Sequence, residues 1–91
     1  MSVQVRIPTI LRNYTSGESE VSADGSTLAQ VIDDLEGSYP GIKSRILDEQ
    51  GQIRRFVNVY VGNDDVRFLD ALQTPTQDGA QVSVIPAVAG G

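Results

Sequence analysis

Apolar and polar residues alternate through Val3, Gln4, Val5, Arg6 and Ile7, the period-two pattern of a strand with one buried and one accessible face. Pro8 has no N–H to offer a neighbouring strand and ends or edges this one. A polar loop at Asn13-Tyr14-Thr15-Ser16-Gly17 follows, and Glu18 to Ala23 reads as a short returning strand with Val21 inward. The two strands together predict a hairpin.

The period then changes. Leu28, Val31, Ile32 and Leu35 recur at i, i+3, i+4 and i+7, one stripe of a helix whose wet side takes Gln30, Asp33, Asp34 and Glu36. Thr27 followed three residues later by Gln30 fits a capping box, in which hydroxyl and amide each satisfy a backbone N–H that the first helical turn leaves without a partner. Gly37 weakens the helix and Pro40-Gly41 stops it. Ile42, Ile46 and Leu47 fit one more helical turn before the polar loop Asp48-Glu49-Gln50-Gly51-Gln52.

Phe56 to Val61 alternates again, with Val57, Val59 and Val61 on one face and Phe56, Asn58 and Tyr60 on the other, up to a turn at Gly62-Asn63-Asp64. Val66 to Phe68 predicts a short strand back across that turn, and Leu69 to Leu72 a helical turn. Gln77-Asp78-Gly79 then turns the chain into a last strand, Gln81 to Pro86. The order is strand, strand, helix, strand, short strand, strand, with no repeat or linker. It predicts an α+β domain over residues 1–86: a mixed sheet of four to five strands packed on one main helix. That order matches the β-grasp, or ubiquitin-like, architecture, in which first and last strands lie side by side and parallel at the sheet centre. Such a pair needs a long crossover, which the helix supplies.

With 91 residues, one modest core is expected. Cysteine and histidine are both absent, so disulfides, thiol chemistry, the common zinc sites and Ser-His-Asp triads are excluded as devices of this chain alone. The net charge of −5 argues against nucleic acid and for protein partners with basic faces. No apolar run is long enough for a membrane helix and the N-terminus lacks a signal-peptide pattern, so the expected compartment is the cytoplasm. Asp64, Asp65 and Asp70 do not have calcium-loop spacing, and no metal site is expected.

Residues 87–91, Ala-Val-Ala-Gly-Gly, read as a flexible tail. A frayed end or an appended remnant would also finish in small residues. The functional alternative has a physical basis. Gly90 and Gly91 lack Cβ, so with Val88 and Ala89 they can thread a narrow channel of a partner and present an unhindered carboxylate. A carboxylate becomes electrophilic only with a good leaving group, such as an acyl adenylate. The chain has neither a GxxxxGK[ST] nor a GxGxxG motif, so the activating enzyme must be separate. Without cysteine, sulfur can be carried covalently only on such an end, as a thiocarboxylate on Gly91.

The segments VRIPTILR (Val5 to Arg12), GSTLAQVIDDLEGSYPGI (Gly25 to Ile42), RFVNVYVGNDDVRF (Arg55 to Phe68) and VIPAVAGG (Val84 to Gly91) resemble the ThiS and MoaD group of ubiquitin-like sulfur carriers, and most closely its cysteine-biosynthesis members. The resemblance implies a carrier, not an enzyme. Gly91 would be adenylated by an E1-like enzyme using ATP and converted to a thiocarboxylate by a sulfurtransferase. The sulfur would go to an activated serine on a PLP-dependent cysteine synthase. An acyl shift would leave cysteine on the C-terminus, and a JAMM-type zinc peptidase would release it. ATP, PLP and zinc would belong to those partners; this chain is expected to bind no cofactor and to be a monomer when free. The alternatives are a molybdopterin-synthase or thiamine-type carrier, against the first of which Pro86-Ala87-Val88 departs from a frequent Pro-Pro-Val, and a ubiquitin-like modifier or plain interaction module.

Strand parity adds a candidate docking patch. If the valines of the strands face the helix, Phe56, Tyr60 and Ile85 lie on the open face together with Arg6.

Overall fold

The computed structural model describes residues 2–86. Strands β1 (Ser2–Arg6), β2 (Glu20–Asp24), β3 (Val57–Val61), β4 (Asp64–Asp65) and β5 (Gln81–Pro86) form one sheet in the order β2-β1-β5-β3-β4. β1 runs parallel to β5, and β1–β2, β3–β5 and β3–β4 are antiparallel. Helix α1 (Leu28–Ser38) supplies the crossover, and a short α2 (Lys43–Ile46) follows it. This is the ubiquitin-like β-grasp arrangement, with the last strand held between the first and third.

Parity along the strands builds the core. Val3, Val5, Val57, Val59, Val82 and Val84 are buried together with Leu28, Val31, Ile32 and Leu35 of α1. The helix begins where Thr27 Oγ1 accepts the Gln30 N–H at 3.3 Å. Gln30 Oε1 reaches past the cap residue and accepts the N–H of Ser26, so the reciprocal half of the box sits one residue earlier than its usual form. Gly25 permits this entry, because a Cβ there would lie 2.7 Å from the Val31 nitrogen. At the other end, Glu36 accepts the N–H groups of Gly41 and Lys43, and these bonds hold its carboxyl below the ordinary value.

Three expectations are corrected. The polar loop expected at Asn13 to Gly17 is loop only from Ser16: Asn13 to Thr15 end a 3-10 helix, Thr9–Thr15, with Leu11 and Thr15 buried, and Thr15 Oγ1 donates to the Glu18 carbonyl at 2.8 Å. The short return strand is Asp64–Asp65, not Val66 to Phe68, which is a 3-10 helix. A strand would put Val66 and Phe68 on one face, whereas Val66 is fully buried and Phe68 is 88% exposed. The Asp65 carboxylate accepts the Arg67 N–H at 2.9 Å and starts that turn. The turn expected at Leu69 to Leu72 falls at Ala71–Gln73. Strand β3 opens at Val57, so Phe56 stands just before it.

Candidate functional site

β5 carries the chain through the middle of the sheet and ends at Pro86, paired with Val57 of β3. The candidate site surrounds this exit. Arg6 lies opposite Ser83, and Ser83 opposite Tyr60, so Arg6 and Tyr60 flank β5 in one row of the open face. Ile85 pairs with Asn58 in the row nearer the exit. Of the residues predicted from parity, Arg6, Tyr60 and Ile85 therefore share a face, but not equally. Ile85 is half exposed and Arg6 exposed, Tyr60 is partly covered, and Phe56 projects from the turn beside the exit with the Arg55 guanidinium 5.8 Å from its ring centroid.

A groove of about 450 Å³ separates the end of β5 from the Thr9–Thr15 helix, with Arg6, Pro8, Ile10, Arg12, Ile85 and Pro86 on its walls. Parity reasoning missed Ile10 and Arg12. Ile10, 68% exposed, stands next to buried Leu11, and two adjacent apolar residues on a tight helix must point apart. That adjacency was a readable signal. Arg12 is fixed by its Nε–H, which donates to the Ile7 carbonyl at 3.1 Å.

Another groove, of about 510 Å³, lies against α2 between Glu36, Lys43, Asp48 and Arg54. Its polar groups are engaged internally: Asp48 accepts the Gln50 and Gln52 N–H groups and the Arg54 Nε–H donates to the Ser44 carbonyl, besides the two bonds to Glu36. Among the described residues no cluster of His, Cys, Asp or Glu could hold a metal ion, and no helix is long and apolar enough to cross a membrane. Val88, Ala89, Gly90 and Gly91 lie outside the described residues.

Comparison with known proteins agrees with this geometry. The chain is 53% identical to the sulfur carrier protein CysO of Mycobacterium tuberculosis, with all of both chains covered. A crystal structure of M. tuberculosis CysO superposes with a TM-score of 0.91 at 51% identity, covering 94% of this chain and 99% of that one. The crystal structure of the Amycolatopsis orientalis BexX/CysO complex contains a chain that matches with a TM-score of 0.92 at 48% identity, covering 98% of this chain and 99% of that chain. The ThiS family profile matches residues 5–91, which takes the match through the terminal glycine itself. A homologue of sulfur carrier proteins in sequence and in fold, the chain belongs to the ThiS family.

Proposed function

We propose that this chain is a sulfur carrier acting through the α-carboxylate of Gly91, and that its sulfur serves cysteine biosynthesis. A carboxylate oxygen attacks the α-phosphorus of ATP in an E1-like enzyme and pyrophosphate leaves. The terminal sulfur of a sulfurtransferase persulfide then adds to the acyl carbon and AMP departs, and a second thiol cleaves the resulting acyl disulfide, giving the thiocarboxylate and leaving a disulfide on the enzyme. Its sulfur bonds to the β-carbon of an activated serine on a PLP-dependent cysteine synthase as the group on the serine oxygen departs, giving a thioester; an acyl shift from sulfur to the amino group leaves cysteine in amide linkage to Gly91, and a JAMM-type zinc peptidase hydrolyses that amide. The chain itself supplies the acyl group and its delivery. Pairing of Pro86 with Val57 of β3 fixes where the tail starts, and the five residues beyond it reach at most about 18 Å.

The observation that carries the reading is the identity with CysO across the full length of both chains. It is tested by intact mass after incubation with ATP, a sulfur source and an extract of the source organism. One oxygen is expected to be replaced by sulfur in the wild-type chain and not in a variant lacking Gly91. A mass that never changes refutes the carrier role. Sulfur passing to a molybdopterin precursor instead of an amino-acid acceptor refutes the cysteine assignment.

A further inference from the structure

The route proposed above makes the Gly91 carbonyl electrophilic twice, as an acyl adenylate and again as a thioester. At either stage an amine of the chain itself could capture it. The nitrogen adds to the carbonyl carbon and gives up its proton, the bond to phosphate oxygen or to sulfur breaks, and AMP or the thiol departs. The amide left behind has no carboxylate to activate, so the carrier is consumed. With neither thiol nor imidazole in the sequence, amines are the strongest nucleophiles the chain could turn on its own end.

The placement of its basic groups is uneven. Of the seven basic residues six are arginine, and the sole lysine is Lys43. Three arginines surround the exit of β5: Arg6 and Arg12 wall the groove at Pro86, and Arg55 stacks on Phe56 beside it. Arg6 lies opposite Ser83, three residues or about 10 Å before Pro86 along the strand, well inside the span of about 18 Å that the tail can cover. Lys43 is held elsewhere. It pairs with Asp33 on the wet side of α1, on the far side of a helix about 10 Å across from the sheet. The start of β1 is remote as well. Because β1 and β5 are parallel they begin at the same end: the Gly79 N–H donates to the Ser2 carbonyl, and Gly79 comes seven residues, about 23 Å, before Pro86. An amine joined to that end starts beyond the tail's reach.

Lysine and arginine supply the same charge but not the same reactivity. A lysine ammonium gives up its proton at least about a hundredfold more readily than a guanidinium, and the freed amine is a nucleophile, whereas the guanidinium electrons are delocalised. We propose that Arg6, Arg12 and Arg55 are specificity-determining residues for acyl transfer, keeping positive charge at the tail exit in a form that resists acylation while the chain's amines stand out of reach. Sulfur of the partner enzymes, and not the carrier's own nitrogen, then takes the Gly91 acyl group. The inference rests on the carrier reading and goes beyond it by assigning to these side chains the exclusion of self-acylation.

The test uses the full-length chain carrying a Gly91 thioester of mercaptoethanesulfonate, made by thiolysis of an intein fusion and followed by intact mass at about pH 8. The wild-type thioester is expected to hydrolyse to the free acid. Arg6→Lys and Arg12→Lys instead form an internal amide, one water lighter than the free acid, at least about tenfold faster than wild type, because a tethered amine acts at high effective concentration. Gln77→Lys, an exposed lysine at the other end of β5, behaves as wild type. Peptide mapping places the new bond on the introduced lysine. Exposed Arg6 carries the test alone should Arg12→Lys, which loses the bond to Ile7, not fold. Lysine variants as inert as wild type, a Gln77→Lys chain that closes as fast as they do, or a wild-type chain that closes through Lys43 each overturn the inference. The thioester is made without the activating enzyme, so these outcomes leave the carrier reading standing. That reading falls only in the ATP-dependent mass measurement, and its fall would take from these arginines the acyl group they are assigned to protect.

Discussion

On the helix side of the sheet Val3, Val5, Val59 and Val82 are sealed beneath α1, whereas on the other side the same strands offer Arg6, Tyr60, Ser83 and Ile85 to solvent. The open side is itself divided. Toward the start of β5, polar groups satisfy one another: the Gln4 amide donates to Ser22 and the Gln81 amide to Glu20. Toward its end, Ile10 and Ile85 are exposed, and among the described residues neither Arg6 nor Arg12 pairs with a carboxylate. One sheet thus has a face that holds the domain together, a region of closed polar pairs, and an exposed region where apolar side chains and arginines meet.

The contrast is broken most strongly from the helix side. Leu28, with no exposed surface, should cost about 2–5 kcal/mol on truncation to alanine. Ile85→Ala should cost about 1 kcal/mol or less, and urea denaturation of the two variants compares them directly. Equal losses would mean that Ile85 belongs to the core and not to a docking surface.

A smaller effect is expected at the outer edge of β3. β4 covers only Tyr60 and Val61, and the Arg67 guanidinium bonds the groups left beyond it: Asn58 Oδ1 at 2.7 Å, the Arg54 carbonyl at 2.7 Å and the Val57 carbonyl at 2.8 Å. This covers a strand edge that would otherwise be open to pairing with another chain. Arg67→Ala should cost about 1–2 kcal/mol and speed amide exchange in β3. Lysine should rescue it poorly, because a single ammonium cannot span the three acceptors. Unchanged exchange would show the edge to be stable without the arginine.

The smallest effect is pH-dependent. The backbone bonds from Gly41 and Lys43, with the nearby Lys43 charge as a lesser cause, lower the Glu36 pKa from its ordinary value of 4.5 against a minor opposing effect of burial. A depressed folded-state pKa gives stability that is present in full above the unfolded value and disappears as pH falls through the folded one. The difference in Tm between wild type and Glu36→Gln should therefore be greatest near neutrality and shrink in acid. A constant difference would remove the carboxylate's charge as its cause.

Much of this architecture was legible because its signals are periodic. Alternation identified β1, β3 and β5, the four-residue stripe identified α1, and their order implied the parallel central pair. Where three-residue turns replace regular elements, the reading failed. Ile10 and Leu11 are adjacent and face opposite ways, and Val66 and Phe68 imitate strand alternation while a carboxylate at Asp65 starts a turn. The open-face patch was visible from parity in Ile85, Tyr60 and Arg6. Its other wall was not, because the contribution of Ile10 and Arg12 depends on where the Thr9–Thr15 helix lies against β5.

The position of β5 also governs how the molecule is made. It comes after every other strand in the chain, yet it alone joins the β1–β2 pair to the β3–β4 pair. Until residues 81–86 have emerged from the ribosome, the two halves have no shared ladder, and apolar surface on both stays open to chaperones and proteases. The strand that closes the sheet is therefore the last to be made, and copies that fail before it is in place stay open to degradation.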